Sequence, residues 1–335
     1  MAVDAHNLAR DDRGIGRYAR AVLTRALRDE RFRWTFVVHD LFPKRGAVAN
    51  ALGADTVDVA RRVPRDADVM WFPWNGMFLR TDVPSVATVH DAAPFAYPSR
   101  DPRKRAIEQN PFLATANTAR RILVQSHFTA DEVEQRLGVA PERIVVTPLA
   151  VDSVFTPGAP GELPAELRGR RYVLHVGAHD ERKNTATLVA AFARAFPAGD
   201  VALAFTRRPP SLPAGGVVVD APGDAALAAL YRGAALVALP STYEGFGFPL
   251  LEAMACGAPV LAARAGALPE VGGDAAAWVD EAHDVEAWAD ALRTLLGDDA
   301  ARAELAARGP ARAATFSWDR CTAQTLSVLA EVAAH

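Results

Sequence analysis

Two glutamates flank a glycine-rich loop in the segment STYEGFGFPLLEAMACGAPVL, residues 241–261. A buried strand is predicted before this loop at residues 236–239, and a helix is predicted to begin at Pro249, since proline is favoured at the first helical position. The unpaired amides of a helix start attract phosphate or carboxylate groups. Carboxylates accept hydrogen bonds from hydroxyl groups, so Glu244 and Glu252 beside such a helix start suit a ligand with both phosphate and hydroxyls. A nucleotide sugar has both.

The start of this helix also offers backbone donors to an anion, namely the predicted free amides of Gly247, Phe248 and Leu250. Glu252 is predicted to lie in the first turn of this helix, and Glu244 to precede the loop. In the alternative interpretation, Glu252 interacts only with the helix dipole and Glu244 caps a turn. Taken alone, the segment favours this alternative, because acidic residues are common in first turns. Three other loops change that balance.

The second loop is VGAHDERKN, residues 176–184, which follows the first predicted strand of the second half of the chain. Its Arg182 and Lys183 are suited to clamp a diphosphate. A departing diphosphate gains negative charge, so cations fixed beside it lower the barrier to its departure. A solvated basic pair at a loop end is an equally good interpretation of this motif alone.

The third loop is RDDRGIGRY, residues 10–18. Gly14 and Gly16 allow the backbone to approach a ligand closely, and a helix predicted to begin near Arg17 adds amide donors. A single Gly-x-Gly is weak support for a phosphate site. The segment lacks the third glycine and the later acidic residue of a dinucleotide fingerprint, which disfavours NAD.

Two more predicted strands end in polar or aromatic residues. In SVATVHDAAPFAYP, residues 85–98, His90 follows an apolar strand and is suited to bind a sugar hydroxyl or to polarise a reacting group. For a solitary histidine, bonding to a neighbouring backbone group is the favoured alternative. In FPWNGMF, residues 72–78, Trp74 and Asn75 are predicted to stack on and hydrogen-bond to an acceptor sugar, the alternative being a core position for Trp74.

An α/β fold must position these loops. Short apolar runs rich in β-branched residues alternate with longer amphipathic segments, a pattern typical of repeated βα units and parallel sheets. The predicted strands form two series, 34–38, 69–72, 85–89, 121–124 and 144–147, then 172–176, 201–205, 216–219, 236–239, 259–262 and 277–279. A further short strand is predicted near the N-terminus.

A proline- and glycine-rich connector at residues 151–171 separates the two series. We therefore predict an N-terminal Rossmann-like domain at 1–152, a linker at 153–170, a C-terminal Rossmann-like domain at 171–312 and a terminal helix at 313–335. Ligands of doubly wound sheets collect at the carboxyl ends of the strands, so the two domains are expected to face one another across a cleft.

Composition excludes several classes of function. The 335 residues carry a formal net charge of −3, which disfavours a nucleic acid partner. Cys256 and Cys321 have neither disulfide-framework nor zinc-ligand spacing, so a cytoplasmic location is predicted. No apolar run is long enough to span a bilayer. Basic residues of the first helix and of segment 100–105 suggest peripheral contact with the inner face of a membrane, although an ordinary solvated face is the favoured interpretation.

Together these motifs resemble the large family of retaining nucleotide-sugar glycosyltransferases numbered four, which have the two-Rossmann-domain GT-B architecture. EGFGFPLLE resembles the family's signature of two glutamates, RGIGRY its glycine loop and VHDAAP its histidine strand end. VGAHDERKN resembles the basic donor loop, and FSWDR the start of a terminal helix that crosses back to the first domain. The resemblance extends from residue 3 to residue 329.

The resemblance implies roles for these residues. It implies that Glu252 binds the ribose, that Glu244 binds the transferred sugar, and that the amides of Phe246, Gly247 and Phe248 assist. It further implies that Arg182 and Lys183 bind the diphosphate and replace a metal, so no metal or other cofactor is expected.

The first domain is implied to contribute as well. Gly14 and Gly16 would approach the diphosphate, and His90 would touch the donor sugar. One departure from the family concerns Ala178, which follows Gly177 where many members have an arginine. Either Arg182 compensates for it, or diphosphate binding is weaker than in those members.

The substrate prediction rests on the same resemblance. RGIGRY with HDAAPFAYP looks most like bacterial polysaccharide and O-antigen mannosyltransferases that use GDP-mannose, with a glycan or lipid-linked glycan as acceptor. UDP-sugars remain an alternative. The base is expected to contact backbone near Thr206, Arg207 and residues 221–223. A nucleotide-sugar-binding protein without transfer activity, or an epimerase of the same architecture, remains as an alternative function.

Overall fold

The computed structural model describes residues 1–11, 14–40, 45–219 and 223–334. The chain divides into two compact units, the first formed by Met1–Leu149 with Ser317–His335 and the second by Ala150–Phe316. The boundaries predicted after residue 152 and before residue 313 lie a few residues from these divisions.

The first unit is built on a seven-stranded parallel sheet with the order β3-β2-β1-β4-β5-β6-β7. Its strands are β1 Ala2–Asp4, β2 Thr35–Val37, β3 Asp58–Ala60, β4 Met70–Phe72, β5 Ser85–Val89, β6 Arg121–Val124 and β7 Ile144–Val146. Its helices are α1 Gly14–Ala26, α2 Arg45–Leu52, α3 Ala93–Ala96, α4 Pro102–Thr118 and α5 His127–Leu137.

The second unit is built on a six-stranded parallel sheet with the order β10-β9-β8-β11-β12-β13. Its strands are β8 Tyr172–His175, β9 Ala202–Phe205, β10 Gly216–Val218, β11 Leu236–Leu239, β12 Val260–Ala263 and β13 Ala277–Val279. Its helices are α6 Thr185–Ala195, α7 Asp224–Gly233, α8 Phe248–Ala255, α9 Leu268–Gly272, α10 Val285–Gly297 and α11 Asp299–Ala313.

These two parallel-sheet units confirm the predicted α/β fold with two Rossmann-like domains. Strands β4, β5, β8, β9, β11 and β12 are buried throughout, as expected for parallel strands covered on both faces. The predicted strands agree with the observed ones to within one residue at each end. The prediction missed β3, an edge strand that alternates exposed and buried residues and has no continuous apolar run.

The last helix, α12 (Trp318–Ala333), follows the second unit in sequence but belongs to the first. Ser317 caps it by accepting a hydrogen bond from the Arg320 amide. Trp318 and Leu329 on its inner face are buried, and the helix packs on α1, β5 and β6. This confirms the predicted terminal helix that crosses back to the N-terminal domain. None of the helices described is both long enough and apolar enough to span a bilayer.

Candidate active site

The loop EGFGF connects β11 to α8 at the carboxyl edge of the second sheet. Gly247 precedes α8 with φ of 99°, a conformation that favours glycine, and a Cβ there would approach the Leu268 side chain at 2.7 Å. The helix begins at Phe248, one residue earlier than predicted. The Leu250 amide donates to the Gly247 carbonyl at 3.1 Å, so the prediction that it is free to bind an anion is wrong. The amides of Phe246 and Gly247 bond no other described residue, which leaves them available to an anion.

Glu252 lies in the second turn of α8, so its predicted place in the first turn is wrong. A position this far from the helix start also weakens the interpretation that it only interacts with the helix dipole. Its carboxylate is buried, and Oε2 accepts a hydrogen bond of 2.9 Å from the Tyr231 hydroxyl of α7. Sequence analysis missed Tyr231, because a tyrosine within an apolar helix is normally a core residue.

Glu244 is the centre of a buried ionic cluster. Its Oε1 lies 2.5 Å from Nζ of Lys183, and its Oε2 lies 3.6 Å from Nη1 of Arg182. Burial alone raises the pKa of Glu244, but the charges of Lys183 and Arg182 and hydrogen bonds from Lys183 and Ser241 lower the pKa on balance. The carboxylate is therefore ionised at neutral pH. Glu244, which is predicted to bind the sugar, thus contacts Lys183 and Arg182, which are predicted to bind the diphosphate.

Lys183 retains donors for an anion. The ammonium group has three N–H donors. One of them bonds Glu244, and the others have no acceptor among the described residues. Gly177 lies beside the same side chain, since a Cβ built on it would be 3.9 Å from Nζ of Lys183. Its φ of 130° also favours glycine. Arg182 is a little more exposed, and its Nε lies 3.3 Å from Asp180.

Hydrogen bonds connect the loop that carries Lys183 to the loop that carries Glu244. The Thr242 amide and hydroxyl both donate to the Arg182 carbonyl, at 2.8 and 3.1 Å. Asn184 is the described non-glycine residue with positive φ, at 50°, and its Nδ2 donates to the carbonyls of Pro240 and Ala282. The donor loop is therefore fixed to residues that follow β11 and β13, which the sequence did not indicate.

Gly266, in the loop between β12 and α9, packs closely against the backbone of Glu244. Gly266 has φ of 59°, and a Cβ there would lie 2.7 Å from the Glu244 amide nitrogen and 2.9 Å from its carbonyl oxygen. The Ala267 amide donates to the same carbonyl at 2.9 Å. Only glycine fits this close approach. The sequence signal was a glycine soon after a predicted strand, in ARAGALPE.

His175 at the end of β8 and His179 in the donor loop each bond a backbone carbonyl and share one hydroxyl group. His175 donates from Nδ1 to the Ala238 carbonyl at 3.0 Å, and His179 donates from Nε2 to the Arg207 carbonyl at 2.7 Å. The Thr185 hydroxyl lies between them, 3.2 Å from Nε2 of His175 and 3.0 Å from Nδ1 of His179. Burial lowers the pKa of His175 to about 4, so it is neutral.

These contacts reach the predicted base-binding backbone. The Thr206 amide donates to the His175 carbonyl at 3.3 Å, and Arg207 accepts from His179 as above. Residues 221 and 222 lie outside the described residues. The base contact near Thr206 and Arg207 stays a prediction.

In the first unit, Gly14 and Gly16 lie within the first turn of α1, which begins at Gly14 and not near Arg17. A Cβ on Gly16 would collide with the carbonyl of Asp11. The chain's own backbone therefore requires glycine at this position, whether or not a ligand approaches. Arg20, one of the residues considered for lipid contact, donates to the carbonyls of Leu8 and Asp11 instead.

His90 directly follows β5, and one of its ring nitrogens already has a hydrogen-bond partner. Its Nε2 lies 2.8 Å from the Pro73 carbonyl, which can only accept, so Nε2 carries the proton. Burial lowers the pKa of His90, an effect that the bond to Pro73 and the charges of Asp91 and Asp11 oppose. The imidazole is thus neutral, and Nδ1 bonds no described residue. The alternative interpretation, a histidine bonded to a neighbouring backbone group, therefore holds for Nε2. Nδ1 remains available as an acceptor for a hydroxyl group.

Trp74 and Asn75 make internal contacts. Trp74 is buried and donates from Nε1 to the Asp4 carbonyl at 2.8 Å, which favours its alternative as a core residue over sugar stacking. Asn75 accepts from the His90 amide at 2.8 Å and donates to Asp91 at 3.3 Å. Asn75 therefore positions the residues that follow β5, and its contact with an acceptor sugar stays a prediction.

The described ranges contain no group of three or more His, Cys, Asp or Glu side chains arranged to hold a metal ion.

Comparison with known proteins gives consistent matches along the chain. The family description "Glycosyl transferases group 1" matches residues 170–298, and "Glycosyltransferase Family 4" matches residues 59–155. The O-antigen chain mannosyltransferase B of Escherichia coli is 34% identical over 274 residues, covering 72% of this chain and 69% of that protein.

Two solved structures share the fold. Sucrose-phosphate synthase from Thermosynechococcus elongatus has a TM-score of 0.73 at 19% identity, over 99% of this chain and 98% of that one. HepE from Anabaena, in complex with UDP-glucose, has a TM-score of 0.73 at 17% identity, over 98% of each chain.

Proposed function

Because the chain belongs to the group 1, family 4 glycosyltransferases, we propose that it moves a hexose from a nucleotide sugar to a glycan or lipid-linked glycan in surface polysaccharide biosynthesis. The reaction proposed is retaining and needs neither a metal ion nor another cofactor. The proposed location is the cytoplasm, with peripheral contact at the inner face of the membrane.

The proposed donor is GDP-mannose. The support is the similarity to the O-antigen chain mannosyltransferase B, whose name states the transferred sugar. A UDP-sugar is the second candidate, because HepE has the same fold and its structure contains UDP-glucose.

The observation that carries the proposal is the cluster of Arg182, Lys183 and Glu244 beside the unpartnered amides of Phe246 and Gly247. Lys183 contacts one carboxylate, that of Glu244, and keeps further N–H donors for an anion. Together with the amides, Arg182 and Lys183 favour a diphosphate, and they stabilise the negative charge that develops as the bond to the sugar breaks.

Glu244 fits a binding role better than that of a nucleophile or acid. Both of its oxygens contact cations, and its lowered pKa keeps it ionised. In the proposed reaction the acceptor hydroxyl bonds to the anomeric carbon, the bond from that carbon to the diphosphate oxygen breaks, and the diphosphate takes the hydroxyl proton. Attack from the face that the diphosphate leaves gives retention.

Glu252 and His90 complete the proposed roles. The Glu252 carboxylate, steadied by Tyr231, accepts hydrogen bonds from the ribose hydroxyls. His90 accepts one from a sugar hydroxyl through Nδ1. Gly14 and Gly16 keep their proposed approach to the diphosphate.

Calorimetric titration with GDP, UDP, ADP and their hexose conjugates tests the donor. We expect one nucleotide to bind the wild type and to bind Glu252→Ala much more weakly. Glu162→Ala, which alters an exposed carboxylate of the same unit, should bind like the wild type. Equal affinity in all three proteins would contradict the assigned donor site.

The anomeric configuration of the product, determined by NMR, tests retention, and an inverted product would rule it out. Activity that disappears with EDTA and returns with a divalent ion would contradict metal independence. Donor binding with no transfer to any glycan acceptor would favour the alternative of a binding protein without transfer activity.

A further inference from the structure

A cavity of about 660 Å³ in the first unit is lined mainly by positively charged side chains among its charged residues. It lies between the loop after β2, the connection from β3 to β4 and the connection from β4 to β5. The charged or titratable residues that line it are Arg61, Arg62, Arg65, Arg80, His39 and Asp82. We call this cavity the arginine pocket.

The four arginines share the pocket with one carboxylate among its described lining residues, that of Asp82, and all four are exposed. Their guanidinium groups form no hydrogen bond or ion pair with any residue in the part of the chain that the structure describes. By contrast, Arg25 and Arg121 in the same unit pair with Asp319 and Glu331. Like charges gathered around one cavity repel each other, and a bound anion would relieve that repulsion.

The floor of the pocket is apolar and fixed to the core. Val63, Ala67, Leu79 and Val83 line the cavity and also pack against the buried core of the unit. The Thr81 hydroxyl accepts from the Val83 amide at 3.1 Å and holds the loop that carries Arg80. The pocket therefore combines an apolar surface that packs on the core with exposed cationic side chains.

We propose that the arginine pocket binds a phosphate or diphosphate ester whose organic part is apolar. Guanidinium groups pair with phosphate through parallel N–H donors, and the apolar floor accepts the first carbons of a lipid chain. If the proposed function holds, this ligand is the lipid phosphate of a lipid-linked acceptor, anchored to the unit predicted to bind acceptors.

The test uses the whole protein with farnesyl diphosphate and inorganic pyrophosphate as probes. The pocket variant is Arg61→Gln/Arg65→Gln. The control Arg33→Gln/Arg120→Gln removes the same charge from two exposed arginines of the same unit outside the pocket. We expect the pocket variant to bind farnesyl diphosphate at least about tenfold more weakly than the wild type, the cost of losing charge-assisted hydrogen bonds, and the control to match the wild type.

Each result decides part of the proposal. Equal affinity in the pocket and control variants would overturn it. Pyrophosphate binding as tightly as farnesyl diphosphate would overturn the apolar part.

Sedimentation with vesicles of phosphatidylcholine, with and without phosphatidylglycerol, identifies the source of the phosphate. Pocket-dependent binding to the anionic vesicles, without binding of farnesyl diphosphate, would assign the pocket to bilayer lipids and overturn the acceptor role. A nucleotide titration of the same proteins keeps the two questions apart. If no nucleotide binds to the wild type or to either variant, the proposed function is contradicted, while the result for the arginine pocket still stands.

Discussion

At the residue scale, the contact between Lys183 and Glu244 links the proposed donor site to the stability of the protein. Both side chains are nearly buried, so removal of one leaves an uncompensated charge in a poorly solvated place. Arg182 lies farther from the carboxylate and remains more exposed, so it compensates only in part.

Lys183→Ala should therefore lower the free energy of unfolding by roughly 3–5 kcal/mol as well as weaken donor binding. Lys183→Ala/Glu244→Ala should recover much of that stability but not donor binding, because the diphosphate ligand is still missing. Urea denaturation and calorimetry measure the two effects. Arg168→Ala, which breaks an exposed pair with Glu162, is the control and should cost at most about 1 kcal/mol. Additive losses in the double variant would contradict the coupling.

His90 gives a prediction for the pH dependence of turnover. Its neutral form can accept the proposed hydrogen bond from the sugar at Nδ1, and protonation would remove this acceptor. Burial lowers the pKa of His90, so turnover should persist below the usual histidine range and fall only at more acidic pH. The measurement is kcat against pH for the wild type and His90→Gln. The variant should have a lower kcat, with little change in KM, and should lack this acidic limb; an unchanged limb would assign it to another group.

At the scale of elements, strand β8 ends in a histidine that stays neutral when the protein is folded. Burial lowers the pKa of His175 from 6.5 to about 4. Below pH 6.5 the unfolded chain binds a proton that the folded chain does not, so acidification destabilises the fold.

The free energy of unfolding should consequently decrease as the pH falls from about 6.5 to about 4, with a contribution from His175 of roughly 3 kcal/mol in total. Urea denaturation across this range measures it. His175→Gln should show a weaker dependence on pH. An identical dependence in both proteins would mean that other groups cause it.

Gly266 shows how one loop positions a residue of another. Gly266→Ala should destabilise the protein by about 1 kcal/mol for its positive φ, with a further loss because the new methyl group meets the Glu244 backbone. Gly53→Ala is a matched control, since Gly53 has φ of 61° and open space around it. Thermal unfolding should separate the two variants, and only Gly266→Ala should weaken donor binding. Equal losses would show that the close approach is unimportant.

At the scale of the whole molecule, the second unit is one continuous segment of the chain, whereas the first unit is built from two segments. Helix α12 completes the first unit although the second unit precedes it in sequence. Ion pairs from Arg25 to Asp319 and from Arg121 to Glu331 join it to α1 and β6.

Truncation before Ser317 should expose the apolar surface that α12 covers. Hydrogen exchange in α1, β5 and β6 should accelerate, while α6 and α10, which pack on one another in the second unit, should keep their protection. Mass spectrometry of peptic peptides from the full and truncated chains measures this. Unchanged exchange in α1 would contradict the assignment of α12 to the first unit.

The amino-acid sequence by itself determined the elements and the loops that carry chemistry. Strand positions followed from short apolar runs, because burial of both faces of a parallel strand is a local pattern. The loops with Gly247 and Lys183 were recognisable for the same reason, since a turn at a strand end depends on adjacent residues. The helix start was one residue off, and that alone put Glu252 at the end of the first turn instead of in the second.

The tertiary structure decided which of these residues meet. Lys183 and Glu244 are in contact because β8 and β11 are neighbours in the sheet, although two strands separate them along the chain. Trp74 is buried and Asn75 holds His90 because β1, β4 and β5 end side by side. Strand order depends on packing between distant segments, which local residue patterns do not encode.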